Sequence, residues 1–307
     1  MSVLIAGDSG LVGSALSKEF REQEIDFQGI NSKSLNLTDR SATFAYIKRE
    51  KPEVVICTAS KVGGIVENDS FPVDFLSRNL QIQVNLFDAC AEFSVKKLIF
   101  LGSSCVYPRE CPQPIREDYL LTGPLEKTNS AYAVSKIAGI ELIKAYRKQF
   151  NKDWISVMPC NMYGPNDNFD LSSSHVIPAL IHKFVRARQM KNSTVKLLGT
   201  GNPLREFLFV DDFAKALVLI MKSYSSDVPI NVGTGEEITI RSLAQTIAQI
   251  VGFEGEISWD DSAPDGTNRK VLDISKIRGF GWSPKYSLVE GLTITVDWFL
   301  RNKKVVV

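Results

Sequence analysis

The chain has 307 residues, of which 44% are apolar, so it can bury a large core and is long enough for two domains or one large α/β unit. Its 36 basic and 35 acidic residues nearly cancel and form no long block of like charge, which argues against nucleic acid or an anionic membrane as a partner. The start "MSVLIAG" lacks signal-peptide features and no apolar run reaches about 18 residues, so we expect a soluble, cytoplasmic protein.

The first half of the chain alternates short apolar runs with helical stretches. The predicted strands are "SVLIAG", "DFQGI", "EVVICTA", "KKLIFLG" and "WISVMP", and the predicted helices cover residues 11–22, 72–93 and 130–150. Strands that are apolar on both faces and alternate with helices are typical of a parallel sheet covered on each side. The pattern therefore predicts a doubly wound, Rossmann-type α/β fold.

After residue 165 the pattern changes to a loop rich in Asn, Asp and Ser, a helix from about Val176 and a strand "TVKLLG". We place a domain boundary there. Residues 1–165, with a returning segment at about 206–235, form the first domain, and residues 166–307 form a smaller C-terminal α/β domain.

A glycine-rich loop follows the first predicted strand directly and opens the first helix. Its glycines allow a tight turn, a close approach of a pyrophosphate and close packing of helix on strand, while the helix N-terminus attracts the anion. The spacing GxxGxxG in this context predicts a dinucleotide site rather than a purely structural turn. The predicted residues are Gly7, Asp8, Ser9, Gly10, Leu11, Val12 and Gly13.

The second strand ends in Asn31, Ser32 and Lys33, with no carboxylate to hold the ribose hydroxyls of NAD. This favours NADPH, with Lys33 as the cation for the 2′-phosphate. A solvated surface lysine is the alternative for Lys33.

Tyr132 and Lys136 in "YAVSK" are spaced to face the same side of a helix. The ammonium is expected to lower the pKa of the phenol and to hold the nicotinamide ribose, so that the tyrosine protonates a substrate carbonyl during hydride transfer. Ser103, at the carboxyl end of the fifth strand before this helix, is expected to face Tyr132 across the crevice. The alternative for Ser103 or Ser104 is a turn-capping serine.

The motifs "GDSGLVG", "GSSCVYP", "YAVSK" and "NMYGP" resemble the extended short-chain dehydrogenase/reductase family. Together with "ASKVGGI", "SSSHVIPALI", "PLREFLFVDD" and "PDGTNRK", they resemble the GDP-L-fucose synthases of that family over nearly the whole chain. The resemblance implies a bifunctional C3/C5 epimerase and NADPH-dependent C4 reductase that converts GDP-4-keto-6-deoxy-D-mannose to GDP-L-fucose. It also implies an NADP-binding domain followed by a nucleotide-sugar domain, and a homodimer formed through the two long helices.

The resemblance assigns the epimerisation to Cys105 and His175. The C4 carbonyl of a 4-keto sugar acidifies the C3 and C5 protons, so a thiolate base and an imidazole acid on opposite sides of the ring can invert both centres. The alternative for Cys105 is a small buried hydrophobe, the role we expect for Cys57, Cys90 and Cys160. The five scattered cysteines have no CxxC spacing, so we expect neither a disulfide framework nor a metal site. His182 is expected to be a partly exposed helix residue.

The resemblance also implies further contacts with each ligand. For the cofactor they are Leu101, Gly102, Ser103, Ser104, Lys136, Pro159, Cys160, Asn161, Met162 and His175. For the GDP-sugar, whose pyrophosphate requires cations, they are Lys183, Leu198, Arg205, Asp265 and Lys270. Two positions depart from the pattern: Leu198 stands where relatives carry tryptophan, and Ser9 stands where they carry an arginine that pairs with the 2′-phosphate.

Other functions remain open on the sequence alone. One is reduction or epimerisation of a related GDP-4-keto sugar of the colitose or heptose type, and another is a UDP-sugar 4-epimerase or dehydratase that retains NAD. The dehydratase pattern requires an Asp-Glu pair where this chain has Ser104-Cys105. A dinucleotide-sensing regulator is disfavoured because Tyr132 and Lys136 are both present.

Overall fold

The computed structural model describes residues 1–262 and 265–302. The elements of the first half are β1 (Val3–Ala6), α1 (Leu11–Glu22), β2 (Phe27–Ile30), α2 (Arg40–Glu50), β3 (Val54–Cys57), α3 (Ile65–Ser70), α4 (Pro72–Glu92), β4 (Lys97–Leu101), α5 (Ser130–Phe150), β5 (Asp153–Pro159) and β6 (Asn161–Tyr163). Those of the second half are α6 (Val176–Gln189), β7 (Thr194–Leu198), β8 (Leu204–Arg205), β9 (Phe207–Phe209), α7 (Val210–Ser223), β10 (Ile230–Val232), β11 (Ile238–Thr239), α8 (Ile240–Val251), β12 (Glu256–Asp260), β13 (Arg269–Lys270), α9 (Ser275–Gly279) and α10 (Leu288–Asn302).

The central sheet has six parallel strands in the order β10-β5-β4-β3-β1-β2. Every residue of β1 and β3 is buried, as expected for strands covered by helices on both faces. The chain runs outward from β1 to β2 and then returns past β1 to β3, so the strand order reverses at β1 and β3. The doubly wound α/β prediction is confirmed, and this reversal is the point where such sheets form a ligand crevice at their carboxyl ends.

A second hydrophobic cluster lies beyond this sheet. It is built mainly from α6, α8 and α10 and includes Phe184, Leu243 and Phe299, all essentially inaccessible to solvent. Three small sheets accompany it, with the strand pairings β11-β8-β13, β12-β7 and β6-β9. The segment from α7 to β10 returns to the first region, because β10 pairs with β5 in the central sheet. The boundary at residue 165 stays a prediction.

Local signals explain several helix ends. The side chain of Asp39 accepts a hydrogen bond from the Ala42 N–H and so caps α2. Thr239 caps α8 in the same way, and that helix stops at Gly252, whose φ of 74° suits glycine. Within the described residues, we find no helix with the length and apolar character needed to cross a membrane.

Candidate active site

The glycine loop between β1 and α1 has the geometry of an anion cradle. A Cβ on Gly13 would lie 2.0 Å from the Gly7 carbonyl oxygen, and Gly7 itself adopts a φ of 108°, so neither position accommodates a side chain. The N–H groups of Gly7 and Asp8 both donate to the Ile30 carbonyl, which fixes the loop to the end of β2. No side chain caps α1, so its first N–H groups remain available to a phosphate. These features fit the pyrophosphate of a dinucleotide.

No carboxylate follows β2 in the sequence, but the expectation that none lies at the end of this strand in the folded protein is wrong. The Asp8 carboxylate lies directly over Gly29, where a Cβ would come within 2.3 Å of Oδ2, and it accepts a hydrogen bond of 2.9 Å from Asn31 Nδ2. The sequence rule considers only residues that follow β2, whereas the loop after β1 reaches the same edge because the two strands are parallel neighbours. Lys33 and Ser32 are exposed at this edge, as is Ser9 in the loop. The adenosine end of the pocket therefore carries both an acid and a base.

Ser103, Tyr132 and Lys136 form one connected group. Lys136 is buried, and its Nζ donates a 2.9 Å hydrogen bond to the Leu101 carbonyl at the end of β4. Desolvation lowers the pKa of Lys136 to about 8. Ser103 follows β4 and hydrogen-bonds the Tyr132 phenol. The strand that carries it is the fourth in the chain and not the fifth, because β5 comes only after the Tyr132 helix.

The pKa of Tyr132 is raised well above its ordinary value, which contradicts the expected lowering by Lys136. Burial is the main cause and the nearby Cys105 adds to it, while the hydrogen bond with Ser103 opposes them. Phe75 packs edge-on against the phenol ring with centroids 6.3 Å apart and contributes to its desolvation. The phenol is therefore held in its protonated, donor form at neutral pH.

Cys105 lies in the short 3₁₀ turn after β4 and is partly exposed rather than turned into the core. Its backbone N–H donates to Ser103 Oγ at 3.2 Å, and its sulfur accepts a hydrogen bond from Asn129 Nδ2 at 3.4 Å. Charge on this sulfur acts on the pKa values of both Tyr132 and Arg205, so these three side chains are neighbours. In contrast, Cys57, Cys90 and Cys160 are buried, as expected of small hydrophobes, and desolvation raises their pKa values.

His175 stands at the residue before α6. Its side chain reaches solvent, yet the surrounding protein desolvates the ring and lowers its pKa, while Glu67 opposes this shift. A 2.9 Å hydrogen bond from the Gly64 N–H to the Ser173 carbonyl ties the start of α3 to the loop before His175. His182 is partly exposed, as predicted, and its Nδ1 lies 2.7 Å from the Phe169 carbonyl oxygen, so it holds the loop to the helix.

The other expected cofactor residues lie along the carboxyl ends of the central strands. Gly102 donates to the Val157 carbonyl at 2.8 Å, and the Cys160 N–H donates to Val232 at 3.0 Å, which joins β5 to β10. Asn161 Nδ2 donates to the Glu206 carbonyl at 3.1 Å. This group frames the crevice edge and consists of Leu101, Gly102, Ser104, Pro159, Cys160, Asn161 and Met162.

The expected substrate cations lie on the other side. Arg205 in β8 and Lys270 in β13 are direct partners in a parallel pair. Desolvation lowers the pKa values of Arg205 and of Lys183 in α6. Among the described residues, none of these three cations forms an ion pair with a carboxylate. Partly buried cations with no carboxylate at ion-pair distance are suited to bind an anion such as a pyrophosphate.

Asp265 and Leu198 are the two remaining predicted substrate contacts, and only Asp265 interacts with a member of the cation group, through its charge on Arg205. The Asp265 carboxylate already accepts two 2.7 Å hydrogen bonds, from the N–H and the hydroxyl of Thr200, and so braces the loop after β7. Leu198 ends β7 in a different sheet and is 65% exposed. Of the five predicted substrate contacts, Arg205 and Lys270 are therefore adjacent, and Asp265 interacts electrostatically with Arg205. Lys183 lies on α6, and Leu198 ends a strand of another sheet.

Two further features were missed by the sequence interpretation. Asn129, three residues before Tyr132, contacts the Cys105 sulfur. Glu67 influences His175 and forms an ion pair with Lys61. The asparagine just before the Tyr132 helix is apparent in the sequence, but a residue of this type at that position usually indicates a helix cap.

The fold and the crevice agree with comparisons to known proteins. Residues 3–233 match the NAD dependent epimerase/dehydratase family, and the chain belongs to that family. GDP-L-fucose synthase 1 of Arabidopsis thaliana is 49% identical over 301 residues, which span 98% of this chain and 93% of that protein. The resemblance to GDP-L-fucose synthases is thereby confirmed.

Two solved structures are similar throughout. A GDP-L-fucose synthetase from Naegleria fowleri bound to NADP has a TM-score of 0.90 at 32% identity and covers 98% of this chain and 94% of its own. A GDP-6-OMe-4-keto-L-xylo-heptose reductase from C. jejuni has a TM-score of 0.93 at 30% identity and covers 98% of both chains.

Proposed function

We propose that this protein converts GDP-4-keto-6-deoxy-D-mannose to GDP-L-fucose by inverting C3 and C5 and then reducing C4 with NADPH. The observation that carries the proposal is the Cys105 sulfur beside the Ser103 and Tyr132 pair, because a plain ketone reductase needs no thiol at that place. The similarity to proteins named GDP-L-fucose synthase and to an NADP-bound structure supports the same substrate and cofactor.

Binding uses two separate sets of groups. The cofactor pyrophosphate would be held by the free N–H groups at the start of α1, and Lys33 is available for a 2′-phosphate. The GDP pyrophosphate is held by Arg205 and Lys270, with Lys183 as a further cation. An arginine can bind phosphate through two parallel N–H bonds, which fixes the orientation of the sugar as well as its position.

Epimerisation is the work of Cys105 and His175. The thiolate removes a proton from C3 or C5, and the electron pair of that C–H bond forms an enolate whose charge resides on the C4 oxygen. The hydroxyls of Ser103 and Tyr132 donate hydrogen bonds to that oxygen. His175 returns a proton on the opposite face, and the lowered pKa makes its imidazolium a stronger acid toward the enolate.

Reduction follows at the same carbonyl. NADPH, when bound, supplies the hydride to C4. The Tyr132 phenol gives its proton to the C4 oxygen, and its raised pKa ensures that the proton is present at neutral pH. Lys136, fixed by the Leu101 carbonyl, holds the ribose side of the cofactor and supplies positive charge beneath the phenol ring at 5.6 Å.

A second candidate is the reduction of a related GDP-4-keto sugar of the heptose or colitose type. Exposed Leu198 favours this reading, because a changed side chain at that position can alter which sugar or base packs there. The solved heptose reductase has the higher TM-score of the two structures described above.

Product identification tests the proposal. The purified protein is incubated with GDP-4-keto-6-deoxy-D-mannose and NADPH or NADH, cofactor consumption is followed by absorbance, and the sugar is identified by NMR. We expect GDP-L-fucose with NADPH. A product reduced at C4 without inversion at C3 and C5 would contradict the epimerase half, and turnover only with a heptose substrate would favour the second candidate.

We also propose a cytoplasmic homodimer that pairs through α4 and α5. Val73 and Val84 on α4 and Val134 on α5 are exposed apolar residues, and burying them against a second copy would stabilise a dimer. Light scattering on the purified protein should give twice the monomer mass, and Val84→Glu should lower it. A monomeric wild-type protein would contradict the dimer.

A further inference from the structure

Asn129 occupies the position before α5 where an asparagine ordinarily caps a helix. A capping side chain accepts a hydrogen bond from the first free N–H groups of its helix. Asn129 makes no such bond. Its Nδ2 donates instead to the sulfur of Cys105, 24 residues earlier in the chain, at 3.4 Å. Asn129 therefore does not act as a helix cap through its side chain.

The amide oxygen of Asn129 is left without a hydrogen-bond donor among the described residues, which indicates that a bound ligand supplies one. Its Oδ1 is buried and accepts no hydrogen bond from any residue that the structure describes. Buried carbonyl oxygens are nearly always hydrogen-bonded, and leaving one unpaired costs free energy. An acceptor kept free beside a reactive sulfur suits a hydroxyl donor that arrives with the substrate.

The groups around the Cys105 sulfur determine how strongly a hydrogen-bond donor can stabilise negative charge on it. Among the described residues, the titratable or charged side chains that interact with Cys105 are Tyr132 on α5 and Arg205 on β8. The phenol is neutral, so the Arg205 guanidinium and the Asn129 amide are the groups that favour negative charge on the sulfur. A donor that points at the sulfur stabilises the thiolate more than the thiol.

We propose that Asn129 is a positioning residue of the proton-transfer site: its N–H orients the Cys105 sulfur and supports it when it acts as a thiolate, and its Oδ1 accepts a hydrogen bond from a hydroxyl of the bound keto sugar. The first half stands on the geometry of the protein alone. The second half rests on the proposed function, because it needs a keto sugar at this place.

Alkylation of Cys105 tests the first half without substrate. The experiment uses a Cys111→Ala background, because Cys111 is the other partly exposed cysteine of the structure. Iodoacetamide labelling is followed by intact mass in this protein, in Asn129→Leu and in Asn129→Asp. The last variant keeps the shape of the side chain and can cap the helix, so it is expected to fold. Ser130→Ala, at the next position, is the matched control.

We expect labelling near neutral pH to slow at least about threefold in Asn129→Leu and further in Asn129→Asp, where a carboxylate faces the sulfur. The difference should narrow at alkaline pH, where the thiol is ionised in every variant. Ser130→Ala should label at the background rate. Equal rates in all proteins at every pH would overturn the proposal.

Proton exchange with GDP-4-keto-6-deoxy-D-mannose in D₂O tests the second half. We expect the exchange rate to fall at least about tenfold in both Asn129 variants, with a raised KM for the sugar and an unchanged Kd for NADPH measured by fluorescence. Exchange and KM at wild-type values would overturn the sugar contact. If the wild-type protein itself exchanges no protons, the proposed function fails, and the labelling result still decides whether the amide holds the sulfur.

Discussion

The two sides of the crevice differ in how far their polar groups are already paired. On the cofactor side, Lys136 is bound to the Leu101 carbonyl, Tyr132 to Ser103, and Asp8 to Asn31. On the substrate side, Arg205, Lys183 and Lys270 form no ion pair within the described residues. The cofactor side is organised by the ends of a buried sheet, whereas the substrate side retains partly desolvated cations that a bound anion would stabilise further.

Removing the phenol should produce the largest effect on the cofactor side. Tyr132→Phe is expected to lower the rate of NADPH consumption by about 10²- to 10⁴-fold, because the C4 oxygen loses its proton donor. Proton exchange at C3 and C5 without cofactor should fall much less, since Cys105 is untouched and Ser103 still donates a hydrogen bond to the enolate oxygen. A variant that reduces the substrate at the wild-type rate would show that another group donates the proton.

Removing a cation should give the largest effect on the substrate side. Arg205→Leu is expected to raise the KM for the GDP-sugar at least about tenfold through the loss of charge-assisted hydrogen bonds, and to leave the Kd for NADPH unchanged. Arg186→Leu, at an exposed position of α6, is the control and should change neither. Equal effects of the two variants would mean that Arg205 does not bind the pyrophosphate.

The pH dependence of cofactor binding distinguishes the buried lysine from the substrate cations. The pKa of Lys136 is lowered to about 8, so its positive charge is present below that pH and is lost above it. NADPH should therefore bind at least about threefold more weakly as pH rises from roughly 7 to 9, and Lys136→Arg, which stays charged, should flatten the profile. A flat wild-type profile would contradict this electrostatic role.

A smaller effect is expected on stability at the loop that leads to His175. Burial raises the pKa of Asp167 to about 7, above its value in the unfolded chain. The protonated carboxyl therefore favours the folded state at low pH, and the free energy of unfolding decreases as pH rises toward 7. Asp167→Asn should raise Tm by about 3 °C near pH 8 and by less near pH 4. Asp170→Asn is the control, because hydrogen bonds from Ser172 lower the pKa of that exposed carboxylate and its removal should not stabilise the protein. Equal shifts at both pH values would contradict the assignment.

The sequence predicted the architecture better than it predicted the site. The bounds of α1 (Leu11–Glu22) and α5 (Ser130–Phe150) agree with the prediction, because hydrophobic periodicity and flanking turn residues are local signals. The short helix α2 (Arg40–Glu50) was not predicted, since only two of its residues are buried and its apolar pattern is weak.

The sequence did not predict features that depend on contacts between residues far apart in the chain. The Asp8 carboxylate reaches the end of β2 only because two strands pair side by side, and Asn129 meets Cys105 only once α5 packs against the turn after β4. The sign of the Tyr132 pKa shift depends on how deeply the phenol is buried, which a spacing of four residues to Lys136 does not reveal.

The central claim is that the Cys105 sulfur moves protons on the substrate ring. The most direct measurement incubates wild-type protein and Cys105→Ala with GDP-4-keto-6-deoxy-D-mannose in D₂O without NADPH and locates deuterium by NMR. We expect deuterium at C3 and C5 with the wild-type protein and at least about 10²-fold slower incorporation with the variant, which should still bind NADPH. Incorporation at the wild-type rate in Cys105→Ala would contradict the account.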